Sequence, residues 1–130
     1  MVGIVVVSHS YKIAQGIEEL TQELIPRQIP LVAIGGIEDG RIGTEIDEII
    51  EAVKKVYSQE GVIIIGDVGS ALVNSQMALE LLSLEGYDAV VVSKAALVEG
   101  TMVAVIESNL GKSLEGINQK IEEQQVVELI

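Results

Sequence analysis

At 130 residues, 48% hydrophobic and 22% charged, the chain has the size and balance of one globular domain and not of a disordered segment. It has no cysteine, which excludes a disulfide framework, a thiolate nucleophile and a Cys-based metal site. Eight basic residues face 20 acidic ones for a net charge of −12, which argues against nucleic acid and anionic membrane as partners and favours proteins with basic faces.

Taken in chain order, short β-branched runs alternate with segments of helical period. Residues 2–7 (VGIVVV) read as a first strand, and Ile13, Ile17, Leu20, Leu24 and Ile25 then recur as one helical stripe. Residues 31–34 (LVAI) read as a second strand, followed by a stripe of Ile46, Ile49, Ile50, Val53 and Val56. Residues 62–65 (VIII) make a third strand, with Leu72, Met77, Ala78, Leu81 and Leu82 at helical spacing behind it, and residues 89–92 (AVVV) a fourth. Residues 98–109 read as a helix ended by Gly111, and residues 113–124 as another, with Ser113 as its N-cap and Glu115 and Glu122 within it. The tail, residues 126–130 (VVELI), is either a last strand, able to pair with a partner chain, or a frayed end.

Strands that are apolar without interruption are covered on both faces, so the rhythm predicts an α/β fold. The expected architecture is a single doubly wound, open, mostly parallel sheet with helices on both faces and right-handed crossovers. No linker or repeat divides the chain, which reads as one domain over residues 1–130. The first apolar run lacks a basic flank and stops at Ser8-His9-Ser10, too short for a signal segment or a membrane span; a soluble, cytoplasmic protein is expected.

In such a sheet, ligands and reacting groups collect beyond the carboxyl ends of the strands. Those positions hold Ser8-His9-Ser10, then Gly35 and Gly36 with Glu38-Asp39-Gly40, then Gly66-Asp67-Val68-Gly69-Ser70, and finally Ser93-Lys94. His9, the one histidine, is either a polar loop residue or, given its place, an acid/base or nucleophile. Asp67 is either the N-cap of the third helix or the partner of His9, since the first and third strands are commonly neighbours. A carboxylate on Nδ1–H would fix the tautomer and leave Nε2 as the attacking lone pair. Gly69 and Ser70 open the third helix with backbone N–H groups and a hydroxyl suited to an oxyanion or phosphoryl group. The glycine-rich segment after the second strand reads as ordinary turn chemistry. One histidine and no cysteine argue against a metal site, with Glu38, Asp39 and Asp67 supplying at most a weak Mg²⁺ site. No dinucleotide or Walker fingerprint points to a bound cofactor, and none is expected.

Two stretches, VVVSHS at the first strand and IIIGDVGSALVNSQMALELL at the third, resemble the mannose-type IIA family of the phosphoenolpyruvate-dependent phosphotransferase system. Within it, the chain is most similar to the phosphotransfer subunits of phosphoenolpyruvate-dependent dihydroxyacetone kinases. Asp67-Val68-Gly69-Ser70-Ala71 has a single glycine and no proline, where sugar-transporting members usually carry a double glycine and Ser-Pro. Lys94-Ala95-Ala96-Leu97-Val98-Glu99-Gly100 resembles the Pro-Leu-Val-Glu-Gly segment of the kinase type, with Ala96 in place of proline. The resemblance implies that His9 is the phosphorylated residue and Asp67 its support, with Gly69, Ser70 and the Ser8 or Ser10 hydroxyl offsetting phosphoryl charge. It also implies HPr as donor, ADP held in the nucleotide-binding kinase subunit as acceptor, and a homodimer. The alternatives are a sugar-transport IIA domain discharging to a IIB protein, a non-catalytic interaction module, and a nucleotide- or flavin-binding domain.

Overall fold

The computed structural model describes residues 1–25, 27–36 and 44–123. They form β1 (Gly3–Ser8), α1 (Tyr11–Leu24), β2 (Leu31–Gly35), α2 (Ile46–Val56), β3 (Val62–Gly66), α3 (Gly69–Leu84), β4 (Val90–Ser93), α4 (Leu97–Asn109) and α5 (Leu114–Glu123). The four strands make one parallel sheet in the order β2-β1-β3-β4. This is the doubly wound α/β arrangement expected from the strand–helix rhythm. The segment 126–130 and the residues Glu38, Asp39 and Gly40 lie outside the described residues.

Alternate side chains of the central strands go to opposite layers, as the period of two requires. Ile4, Val6, Ile63 and Ile65 pack with Ile17 of α1, Ala104 and Val105 of α4, and Ile117 and Ile121 of α5. Val5, Val7 and Ile64 pack with Ile49 and Val53 of α2 and with Ala78 and Leu82 of α3. Every residue of β1 and β3 is buried, whereas all of β2 is only half-buried, as befits an edge. Each fully buried Ile or Val contributes about 1.5–3 kcal/mol by leaving water, so these two strands are the anchor of the fold.

The helix ends follow local chemistry. Gly111, at φ 78°, ends α4: its N–H reaches the Ser108 carbonyl and the Lys112 N–H reaches that of Glu107. Ser113 caps α5 by accepting the Gly116 N–H at 3.1 Å. Ala95, from the segment after β4, is buried, and a Cβ at Gly100 would stand 2.8 Å from its Cβ, so this turn packs only with a glycine there.

Two helical stripes are buried only in part: Ile17 and Ile25 of the first, and Ala78 and Leu82 of the one behind β3, are in the core, while other members face outward. In α1 the buried residues are Ala14, Ile17 and Thr21, while Ile13, Leu20 and Leu24 stand nearly half exposed. The cause is the close approach of α1 to β2. A Cβ at Gly35 would lie 2.3 Å from the Ser10 carbonyl oxygen and 3.0 Å from the Ala14 Cβ, so only small residues fit the seam. In α3 the buried residues are Ala71, Ser75, Ala78 and Leu82, and Met77 and Leu81 face outward.

The strand order places β2 on one side of β1 and β3 on the other, so the winding reverses at β1. Ligands of such sheets bind at the carboxyl edge where the winding reverses, here between β1 and β3, and His9 and Asp67 follow those two strands directly. No helix among the described residues is long and apolar enough to cross a membrane.

Candidate active site

Register brings the first two residues together. Val7 pairs with Gly66, so the next step sets Ser8 beside Asp67, and the Asp67 N–H still donates to the Val7 carbonyl at 3.1 Å. The Asp67 carboxylate then collects four donors, two on each oxygen. Oδ2 accepts the Ser8 hydroxyl at 2.9 Å and the His9 backbone N–H at 2.8 Å. Oδ1 accepts His9 Nδ1–H at 2.8 Å and the Val68 N–H at 2.7 Å.

Burial by itself would raise the Asp67 carboxyl, but the His9 backbone N–H, the imidazole, the Ser8 hydroxyl and the Val68 N–H together outweigh it. The net result is a carboxyl held below its usual range and ionised at neutral pH. A fixed anion on Nδ1 makes that nitrogen the protonated one in the neutral ring and directs the lone pair to Nε2. The His9 and Asp67 side chains retain 18% and 16% exposure, so the pair is sheltered yet reachable from solvent.

Nε2 looks toward the start of α3, where Ser70 Oγ lies 2.5 Å away and donates its proton to the ring lone pair. The first turn of α3 carries no acidic residue, and the Ala71 and Leu72 N–H groups already bond to the Val68 carbonyl. The Gly69 and Ser70 N–H groups have no such acceptor among the described residues. A Cβ at Gly69 would meet nothing within 4 Å, so the mouth of the helix is open. Free N–H groups and the positive end of the helix dipole favour an anion there.

Of the sequence candidates, the structure unites His9, Asp67 and Ser70, with Gly69 alongside. Ser8 needs a correction: it is 0% exposed and its proton goes to Asp67, so it acts on the carboxylate and cannot reach a group on Nε2. Ser10 is the N-cap of α1, its Oγ accepting the Ile13 N–H at 3.3 Å. Asp67 is not the cap of α3; that residue is Val68, which makes no side-chain cap bond. Ser93 and Lys94 end β4 one strand further out, where Ser93 Oγ accepts the Ala95 N–H and the Lys94 N–H donates to Glu122. Sequence reasoning missed the Val68 and His9 backbone donors, because main-chain N–H groups leave no residue-type signal. It also missed the place of Ser8, for which the one clue is a hydroxyl closing an otherwise apolar central strand. Among the described residues, no three His, Asp or Glu side chains gather as a metal site.

Comparison with known proteins adds a second line of observation. The family described as PTS system fructose IIA component, EIIA-man, matches residues 3–118. The Listeria innocua protein named PEP-dependent dihydroxyacetone kinase 2, phosphoryl donor subunit DhaM, is 36% identical over 121 residues, covering 93% of this chain and 97% of that one. The Escherichia coli protein named PEP-dependent dihydroxyacetone kinase, phosphoryl donor subunit DhaM, is 35% identical over 120 residues, 90% of this chain and only 25% of that longer one. A solved protein of unknown function, EF1359, superposes with a TM-score of 0.82 at 26% identity, covering 95% of this chain and 96% of the other.

Proposed function

Because this chain belongs to the EIIA-man family of PTS system fructose IIA components, we propose that it is a phosphohistidine relay for a dihydroxyacetone kinase. His9 takes a phosphoryl group from HPr and passes it to ADP bound in the nucleotide-binding kinase subunit, and the resulting ATP phosphorylates dihydroxyacetone. The observation that carries this reading is His9 itself: Nδ1–H is tied to an ionised Asp67 while Nε2 faces the open first turn of α3. The names of the relatives as phosphoryl donor subunits support the choice of kinase over sugar transport.

The chemistry balances with these groups alone. As Nε2 forms its bond to phosphorus, the donor's phosphorus–nitrogen bond breaks and its electron pair returns to the donor nitrogen. The His9 ring then carries a positive charge that Asp67 faces through Nδ1–H. Ser70 turns its hydroxyl from Nε2 to a phosphoryl oxygen, joined by the Gly69 and Ser70 N–H groups. In the second transfer a β-phosphate oxygen of ADP attacks phosphorus, and the pair of the nitrogen–phosphorus bond restores neutral His9. Phosphoryl transfer passes through a loose transition state and asks mainly for positioning and charge, which a shallow, open site can supply. The family resemblance supports extending the reading to a cytoplasmic homodimer in which residues 1–130 act as one phosphotransfer domain.

The test loads the chain with labelled phosphate from phosphoenolpyruvate, Enzyme I and HPr, then offers it two acceptors. Discharge to the ADP-loaded kinase subunit, with label appearing in dihydroxyacetone phosphate, is the expected result. Discharge only to a sugar-specific IIB protein would make the chain a sugar-transport IIA component instead.

A further inference from the structure

Ser8 is the unexpected residue of its strand. The other five residues of β1 (GIVVVS) are apolar, all six are buried, and Ser8 is 0% exposed. A hydroxyl in such a place is costly unless its donor and acceptor capacities are both used. Both are used. The O–H donates to Asp67 Oδ2 at 2.9 Å, and Oγ accepts the Ser10 N–H at 3.0 Å. Ser10 in turn caps α1. One buried hydroxyl therefore fastens the carboxylate that follows β3 to the turn that starts α1, and His9 sits in that turn.

We infer that Ser8 is a positioning residue of the relay, whose hydroxyl locks the Asp67 carboxylate in the orientation that holds Nδ1 of His9 and turns Nε2 outward. Its kinetic consequence rests on the relay reading; its structural consequence does not. With Ser8 removed, Oδ2 keeps only the His9 N–H, and the link between the carboxylate and the Ser10 turn is gone. His9 is the one titratable side chain bonded to this carboxylate. Its other donors, the Ser8 hydroxyl from β1 and the His9 and Val68 N–H groups from the turns after β1 and β3, carry no charge.

The experiment compares Ser8→Ala with Ser108→Ala in the full chain. Ser108 is a matched control, also 0% exposed, with its O–H donating to the Val2 carbonyl at 2.6 Å in α4, away from the site. Carbon-13 NMR follows the Asp67 carboxyl titration, and labelled HPr supplies the transfer rate. In Ser8→Ala the Asp67 midpoint is expected to rise by about one pH unit, the worth of one hydrogen bond to a charged group. Acceptance of phosphate is expected to slow about tenfold by the same measure. Ser108→Ala is expected to lower thermal stability while leaving the Asp67 midpoint at its wild-type value. A Ser8→Ala protein with the wild-type midpoint, or with the wild-type rate where wild type accepts phosphate, overturns the inference. If wild type takes no phosphate from HPr, the relay reading fails and the carboxyl titration alone decides the role of Ser8.

Discussion

Replacing Asp67 by Asn leaves the volume unchanged and alters only what the side chain can accept. The wild-type oxygens take four donors: the Ser8 hydroxyl, the His9 N–H, His9 Nδ1–H and the Val68 N–H. An amide has one oxygen to offer. If its NH₂ faces Ser8, it meets the His9 backbone N–H donor to donor. If it faces the ring, it meets the Val68 N–H and makes Nδ1 an acceptor, which moves the ring proton to Nε2 and removes the attacking lone pair. Each hydrogen bond to a charged group is worth about 1.5–3 kcal/mol. Two are lost, and the Ser8 hydroxyl can turn to recover part of that, leaving about 2–3 kcal/mol. At about 1.4 kcal/mol per tenfold, phosphate acceptance should fall about 30- to 150-fold. Rapid-quench single-turnover transfer from phosphorylated HPr measures it, with circular dichroism checking the fold. A folded Asp67→Asn protein that accepts phosphate at the wild-type rate would refute the reasoning.

The same carboxylate sets an acid limit to stability. Its folded pKa is lowered, so its contribution is present above the unfolded value and is lost as pH falls through the folded one. The stability advantage of wild type over Asp67→Asn, read from urea midpoints, should shrink as pH falls below about 4. An advantage that grows as pH falls below about 4 would reverse the sign of the argument. Gly35→Ala drives a Cβ to 2.3 Å from the Ser10 carbonyl oxygen and 2.8 Å from its carbon, atoms of the backbone that starts α1. Overpacking of this kind should cost about 3 kcal/mol and slow phosphate acceptance through the displaced His9 turn; an unchanged melting temperature would contradict that.

The parts of the fold that were legible are those in which one residue type has one use. Val5, Val6, Ile63 and Ile64 could belong only to strands covered on both faces, and all four are wholly buried. Gly111 and Ser113 announced the turn between the last two helices by the same economy. The α1 stripe was legible only in part: Ile17 and Ile25 are buried as expected, while Ala14 and Thr21 take the buried places expected of Ile13, Leu20 and Leu24. What chose between them was the backbone of β2 at Gly35, a tertiary constraint with no trace in the periodicity. In the site, the location of His9 followed from strand-edge topology and its pairing with Asp67 from neighbouring strands. The use of Ser8 did not follow, because it depends on the one-residue extension of the β1–β3 register that sets the hydroxyl beside the carboxylate.

The central claim is that His9 carries the phosphoryl group, and incubation with labelled phosphoenolpyruvate, Enzyme I and HPr tests it directly in wild type and His9→Ala. An acid-labile, base-stable label on wild type, absent from a His9→Ala protein that melts as wild type does, is the predicted result. Phosphorylated HPr beside two unlabelled proteins, or equal labelling of both, would contradict the claim.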